Sequence, residues 1–267
     1  MRLRIDLAYD GAPFAGFARQ SDQHTVQGVL DTAVARLLGQ TVSTTCAGRT
    51  DRGVHARAQV VHFDVDDTAR VRRETSDLGQ LRRRLDHMCG AAIVIWSVRA
   101  VADDFDARFS ATARQYRYRI VDDVSAADPI RRHDRWRLDE PLKLTAMRRA
   151  ARVLLGEHDF AAFCRRAQGR TTRRRLDEVA LRRPAPGHLD VRLRGPAFCH
   201  QQVRAIVGCL VEVGRGVRDA AWLADVLAAG DRSRAARVAP PHGLTLEAVS
   251  YGRRWPAAPP PDVRRHP

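Results

Sequence analysis

The residues best suited to chemistry lie in one short polar segment, AGRTDRG, at positions 47–53. Its carboxylate, Asp51, stands between Arg49 and Arg52. Opposite charge and charge-assisted hydrogen bonds would keep Asp51 ionised, which suits a nucleophile or a base better than a proton donor. The alternative is a plain turn, in which Asp51 accepts hydrogen bonds from nearby backbone N–H groups and both arginines face water. The composition of the segment leaves both interpretations open.

Strand-like sequence flanks this segment on both sides. The stretch 41–46 mixes β-branched and small residues, and the stretch 60–63 has the pattern of a half-buried strand. Gly48 and Gly53 allow backbone conformations that residues with a Cβ atom resist. The sequence therefore predicts that Asp51 is held at a junction between two strands.

Hydrophobic periodicity predicts the element order β-α-β-β-α-β for the first half of the chain. Alternating apolar and charged residues predict a strand over 3–9. A helical pattern follows, with Thr25 as its N-cap and Gly39 just beyond its C-terminus. After the two strands at the polar segment, a charge-rich helix is predicted over 70–86 and a strand over 93–98.

The second half is predicted to repeat this order, although the two halves share no evident sequence identity. The predicted strands are 114–121, 176–182, 188–194 and 244–251. The predicted helices are 144–155, 200–213 (ended by Gly214) and 220–229. Together these elements predict an α+β fold with antiparallel sheets, divided into residues 1–105 and 106–255, with a disordered tail over 256–267.

Charge and cysteine content narrow the class of protein. The chain has 46 lysines and arginines against 31 aspartates and glutamates, and this net charge of +15 favours a polyanionic partner. Nucleic acid fits best, and an anionic membrane surface is the competitor. No apolar run reaches the ~20 residues of a membrane span, and the N-terminus is unlike a signal peptide, which predicts a cytoplasmic protein. The five cysteines are scattered, which predicts buried free thiols rather than disulfides or a zinc site.

Four motifs then give the sequence a specific resemblance. They are YDG (9–11), GRTDRGVHA with QVVHF (48–56 and 59–63), FSATARQYRY (109–118) and AFCHQQVRAIVG (197–208). In this order and spacing the chain resembles the tRNA pseudouridine synthase A family up to about residue 251. The resemblance implies two RNA-recognition-like halves whose sheets join into one continuous sheet, a central active-site cleft and a homodimer.

The resemblance also implies an activity and its residues. The expected reaction is isomerisation of uridine to pseudouridine in the tRNA anticodon stem-loop, at positions 38, 39 and 40, without metal or cofactor. Asp51 corresponds to the catalytic aspartate, Tyr116 to the tyrosine that packs on the uracil, and Arg204 to the basic partner of the aspartate. Arg49, Thr50, Arg108 and Tyr116 are the expected substrate-binding residues. Attack by Asp51 at uracil C6 and action at ribose C1′ both stay open.

Two other functions are compatible with the sequence. A paired recognition fold could bind or fold RNA without catalysis. A metal-dependent nuclease could use the acidic cluster Asp64, Asp66 and Asp67, whereas His55 and His62 lack a regular ligand spacing. The chain departs from the family pattern at four places. Arg52 stands where a small residue is usual, and Gln201 stands where a second histidine is common. Residues 17–20 (FARQ) replace a stretch like Gly-Trp-Gln-Arg-Gln, and residues 82–91 lack a Leu-Pro step.

Overall fold

The computed structural model describes residues 1–165, 169, 171–252 and 254. The predicted tail over 256–267 lies outside the described residues. The chain forms two compact units, of which unit 1 comprises Met1–Thr112 together with the chain from Leu246 onward, and unit 2 comprises Ala113–Thr245. Strands and helices are mixed in both units, so the predicted α+β class is confirmed.

The bounds of the elements are as follows. The strands are Arg2–Tyr9 (β1), Thr45–Cys46 (β2), His55–Asp64 (β3), Ile93–Val101 (β4), Ala113–Val121 (β5), Trp136–Arg137 (β6), Gly156–Asp159 (β7), Arg173–Leu176 (β8), Glu178–Ala185 (β9), His188–Gly195 (β10) and Leu244–Ser250 (β11). The α-helices are Val26–Leu38 (α1), Ala69–Thr75 (α2), Leu78–Cys89 (α3), Leu144–Ala151 (α4), Gln202–Arg215 (α5) and Ala220–Ala229 (α6).

The sheet of unit 1 has the strand order β4-β1-β3-β11, and β2 pairs with β3. Strand β1 is antiparallel to both of its neighbours, with Ile5 opposite Val61 on β3 and Val98 on β4. Leu3, Ile5 and Leu7 are fully buried, because this strand is central and its apolar residues face the core. Helix α3 packs against β4 and against α1.

The helix boundaries in unit 1 test the predicted caps. The N-cap at Thr25 is confirmed, because its side chain accepts a hydrogen bond from the N–H of Gly28, and Gly39 ends α1 in the left-handed conformation. The single helix predicted over 70–86 is wrong, because α2 ends at Thr75. Asp77 starts a second helix, α3, by accepting a hydrogen bond from the N–H of Gln80 at 2.9 Å.

The main sheet of unit 2 has the antiparallel order β5-β10-β9, and the short strand β6 runs parallel to β5. A separate pair, β7 with β8, was not predicted from the sequence. The predicted end of the helix at Gly214 is also wrong, because α5 continues to Arg215 and Gly216 adopts the left-handed conformation. Gly214 lies inside the helix, where a Cβ atom would come within 2.8 Å of the Met147 sulfur.

The state of the cysteines differs in part from the prediction. Cys164 and Cys199 are joined in a disulfide, with their Cα atoms 5.8 Å apart, so the expectation of free thiols is wrong for this pair. A sequence separation of 35 residues gave no sign of the pairing, which depends on how the chain folds back. Cys46, Cys89 and Cys209 are free and buried, as predicted. None of the described helices is long and apolar enough to cross a membrane.

Candidate active site

Asp51 lies in the turn between β2 and β3, so the predicted strand junction is confirmed. The N–H of Val54 donates to the carbonyl oxygen of Asp51 at 3.1 Å and closes a four-residue turn. Gly53 takes a φ of 75° within it, a conformation that residues with a Cβ atom rarely adopt. The Asp51 side chain is half-buried, and therefore can be reached by a substrate. This segment, 48–54, is called the Asp51 turn below.

A buried glutamine holds the start of the Asp51 turn. Gln59 has no exposed surface, and its Nε2 donates to the carbonyl oxygen of Gly48 at 2.7 Å and to the Tyr9 hydroxyl at 3.3 Å. The Tyr9 hydroxyl is also hydrogen-bonded to Thr50 Oγ1, at 2.8 Å. Thr50, predicted to bind substrate, is thus part of the support of the turn. Sequence reasoning assigned no role to Tyr9 or Gln59, although both belong to the motifs.

Gln59→Leu should destabilise the protein by about 1–3 kcal/mol, because it leaves the carbonyl oxygen of Gly48 without this hydrogen bond and removes one of the two hydrogen bonds of the buried Tyr9 hydroxyl. Urea unfolding of variant and wild type measures this loss. Gln40→Leu is the matched control, because Gln40 also bonds the backbone of Asp66 twice, but at an exposed site where water can replace it. We expect the control to change stability by less than about 0.5 kcal/mol. Equal losses would contradict the assigned support.

The N-terminal segment 11–17 lies directly against the Asp51 turn. The N–H of Phe17 donates to the carbonyl oxygen of Thr50 at 3.1 Å, and the N–H of Gly11 donates to His55 Nδ1 at 3.1 Å. A Cβ atom on Gly11 would come within 2.1 Å of the carbonyl oxygen of Val54, so only glycine fits there. The backbone of the turn is therefore fixed from two sides, by Gln59 and by this segment.

Two of the predicted substrate-binding arginines lie around one buried thiol. Burial raises the pKa of Cys46 to about 12, and the positive charges of Arg49 and Arg108 act in the opposite direction. Both arginines are exposed. Both charges therefore act on Cys46, just before the Asp51 turn, although Arg49 and Arg108 are far apart in the sequence.

The residues that depart from the family pattern also have defined partners. Arg52 donates from Nη2 to Gln23 Oε1 at 3.1 Å, which ties the Asp51 turn to the loop before α1. Gln23 lines a groove of about 910 Å³, whose walls include Arg19 and Arg36. Gln201 accepts a hydrogen bond from Arg232 at 2.6 Å and has a φ of 66° at the start of α5. Both departures thus contribute to local structure.

The other two catalytic candidates belong to unit 2. Tyr116 on β5 is 8% exposed, and its ring meets the ring of Phe198 edge-on at a centroid distance of 5.0 Å. Arg204 on α5 is half-buried and donates from Nε to the carbonyl oxygen of Ala239 at 2.8 Å. The next residue in this segment, Pro240, accepts a hydrogen bond from Tyr118.

Tyr118 lies on the same strand as Tyr116 and bonds the same short segment as Arg204. Its side chain is fully buried and its hydroxyl donates to the carbonyl oxygen of Pro240 at 2.7 Å. Burial raises the pKa of Tyr118, and the positive charge of Arg204 opposes that shift. Tyr116 and Tyr118 are two residues apart on one strand and share a face. The structure thus brings Arg204 to the side of β5 that carries Tyr116.

Comparison with known proteins decides the family. A family model described as tRNA pseudouridine synthase matches residues 7–110 and 150–252. The chain is 47% identical over 252 residues to tRNA pseudouridine synthase A of Frankia casuarinae, covering 94% of this chain and 89% of the relative. The chain belongs to the tRNA pseudouridine synthase A family. Identity is 44% over 255 residues with the same enzyme of Streptomyces griseus, and 40% over 260 residues with that of Brevibacillus brevis. Each match covers 94% of this chain, and 88% and 99% of the respective relatives.

Membership of the tRNA pseudouridine synthase A family confirms the predicted class of enzyme, an isomerase that forms pseudouridine in tRNA. The candidates Arg49, Thr50, Asp51, Arg108 and Arg204 fall inside the matched residues. The remaining candidate, Tyr116, lies between the two matched segments. The individual roles of these residues stay predictions.

The residues behind the nuclease alternative have structural partners. Asp64 forms an ion pair with Arg2 at 2.7 Å, and the hydrogen bond from Arg2 lowers the pKa of Asp64. Asp67 forms an exposed ion pair with Arg72 at 2.9 Å. These contacts account for two carboxylates of the acidic cluster without a metal ion. His62 likewise has a structural contact, because its Nδ1 accepts a hydrogen bond from the N–H of Ala107 at 3.0 Å.

Proposed function

We propose that this member of the tRNA pseudouridine synthase A family modifies the anticodon stem-loop, at positions 38, 39 and 40, with Asp51 as the nucleophile. The observation that carries the proposal is the Asp51 turn, which presents a half-buried carboxylate on a backbone fixed by Gln59 and by segment 11–17. A rigid carboxylate suits catalysis, because its geometry is set before the substrate binds.

The chemistry of the isomerisation fits this arrangement. The reaction breaks the N1–C1′ bond of uridine, rotates the uracil and forms a C5–C1′ bond. The C5 proton is released to solvent and N1 takes up a proton, so the product is an isomer and no electron acceptor is needed. An oxygen nucleophile can act at uracil C6 or at ribose C1′, and the proposal holds for either route. We assign packing on the uracil to Tyr116, charge pairing with the carboxylate to Arg204, and contact with the target nucleotide to Arg49.

The charge of the protein supports an RNA substrate. A net charge of +15 attracts a polyanion, and contacts to phosphates make the affinity depend steeply on salt. The groove lined by Arg19 and Arg36, beside Gln23 and its partner Arg52, is a candidate surface for the RNA backbone. The target base must leave its stack to reach a carboxylate, as in other base-flipping enzymes. We also propose a homodimer as the working unit and the cytoplasm as its location.

Tritium release from tRNA labelled at uridine C5 tests the function directly. Wild-type protein should release tritium in the presence of EDTA, and only from transcripts that keep a uridine at position 38, 39 or 40. Release from other positions alone would overturn the proposed site. Retained tRNA binding without any release would favour the non-catalytic RNA-binding alternative, and Mg²⁺-dependent cleavage of the RNA would favour the nuclease.

A further inference from the structure

A short turn before β5 presents an aromatic ring to solvent. Phe109 is 79% exposed, whereas large apolar side chains are usually buried. The guanidinium carbon of the adjacent Arg108 lies over its ring, 5.1 Å from the centroid. A cation above one face of an aromatic ring is a favourable contact that leaves the rest of the ring accessible. Phe109 is therefore not part of the hydrophobic core of unit 1.

The backbone that carries Phe109 is fixed by a dense set of hydrogen bonds. The Asp106 carboxylate accepts from the N–H groups of Arg108 and Phe109, at 2.7 and 2.8 Å. The N–H of Asp106 donates to Ser110 Oγ at 3.0 Å, and the N–H of Ser110 donates to the carbonyl oxygen of Asp106 at 2.9 Å. The ring is therefore presented from an ordered turn, so binding to it costs little further conformational entropy.

The turn is anchored beside the strands that lead to Asp51. The N–H of Ala107 donates to His62 Nδ1 at 3.0 Å, and the carbonyl oxygen of Ala107 accepts from the Tyr251 hydroxyl at 2.7 Å. His62 on β3 stands opposite Thr45 on β2. Cys46, the next residue, is the last residue of β2 and immediately precedes the segment that carries Asp51. The turn of Phe109 is therefore attached to the part of unit 1 where β2 and β3 pair, from which the Asp51 turn extends.

We propose that Phe109 is a stacking platform for an unpaired base of the RNA, in the same stem-loop as the nucleotide that Asp51 modifies, with Arg108 holding a neighbouring phosphate. This inference rests on the proposed function and adds a binding subsite to it. Proteins commonly hold single-stranded bases on exposed aromatic side chains and their phosphates with basic residues. Aromatic residues and arginine are also enriched at protein interfaces, but the net charge of +15 favours RNA as the occupant.

The test compares Phe109→Ala, Phe109→Leu and Phe109→Trp in binding to one unmodified tRNA at fixed salt. Loss of a stacked base should weaken binding by between ~5-fold and ~150-fold in the alanine variant. The leucine variant should be impaired to a similar degree, because it keeps an apolar side chain but no π-face, and the tryptophan variant should restore binding. Ile130→Ala is the matched control, because Ile130 is 84% exposed in unit 2 and has no role in the proposal.

Two further readouts separate stacking from other roles. The slope of log affinity against log salt should stay the same in Phe109→Ala, because a stacked ring releases no counterions, and should fall by about one in Arg108→Ala. Fluorescence of 2-aminopurine placed in the loop should be quenched by wild-type protein and not by Phe109→Ala.

A Phe109→Leu variant that binds tRNA as tightly as the wild type would overturn the proposal. So would a Phe109→Ala variant that shifts the sedimentation coefficient of the free protein while keeping full tRNA affinity, which would indicate a protein interface.

The same samples distinguish failure of this inference from failure of the proposed function. Tritium release by wild-type protein with unchanged binding in Phe109→Ala would refute the platform and leave the synthase activity in place. Loss of binding and of quenching in Phe109→Ala, together with no tritium release by wild-type protein, would refute the activity and leave the platform in place.

Discussion

Replacing Asp51 with Asn should reduce the rate of pseudouridine formation by at least ~10³-fold, while tRNA affinity stays within a few-fold of wild type. The amide has nearly the shape of the carboxylate, so the Asp51 turn and its hydrogen bond to Val54 are kept. An amide lacks the negative charge that both routes of the reaction require of the nucleophile. Single-turnover tritium release, with enzyme in excess over labelled tRNA, measures the chemical step without interference from product release.

Asp67→Asn is the matched control for this experiment. Asp67 is an exposed carboxylate of unit 1 that pairs with Arg72, and it belongs to the acidic cluster of the nuclease alternative. Its replacement should leave tritium release unchanged. A substantial rate in Asp51→Asn, above about a tenth of wild type, would remove Asp51 from the role of nucleophile. Loss of activity in Asp67→Asn would instead indicate that the acidic cluster takes part in the reaction.

Local signals in the sequence were sufficient to predict much of unit 1. The cap at Thr25 and the stop at Gly39 were predicted because a capping hydroxyl and a left-handed glycine act within a few residues of the chain. The strand junction at Asp51 was predicted because alternating residues and glycines bracket it. These features depend on neighbours in the sequence, and so a pattern can reveal them.

One local feature was missed. Asp77 interrupts the helical pattern over 70–86 as an N-cap, and the periodicity of the leucines concealed the break. The other features that were not predicted depend on distant residues. The Cys164–Cys199 pair and the β7–β8 strands join segments whose proximity is set by the fold. The hydrogen bonds that hold the Asp51 turn also depend on residues far apart in the sequence. Gln59 appeared only as a polar residue in a strand, and its bonds to Gly48 and Tyr9 emerge when β1 and β3 pair.

Gly11→Ala should have the second largest effect on activity, although Gly11 takes no part in the reaction. A Cβ atom would come within 2.1 Å of the carbonyl oxygen of Val54, and a backbone atom cannot rotate away as a side chain can. Either segment 11–17 or the Asp51 turn must move. We expect a loss of about 2–3 kcal/mol in stability and, because a shift of about 1 Å misplaces the nucleophile, a ~10²-fold slower single-turnover rate.

The control for Gly11→Ala is Gly79→Ala in helix α3. There a Cβ atom would meet the Asp77 Oδ1 atom at 3.1 Å, a side-chain contact that can adjust, and alanine favours the helix. Both variants are measured at a temperature where urea unfolding shows them fully folded, so that a slower rate reports the position of the Asp51 turn and not the amount of native protein. Normal activity in folded Gly11→Ala would show that the turn tolerates displacement. Preorganisation of the carboxylate would then contribute little to catalysis, and the charges around Asp51 would have to explain the reaction rate instead.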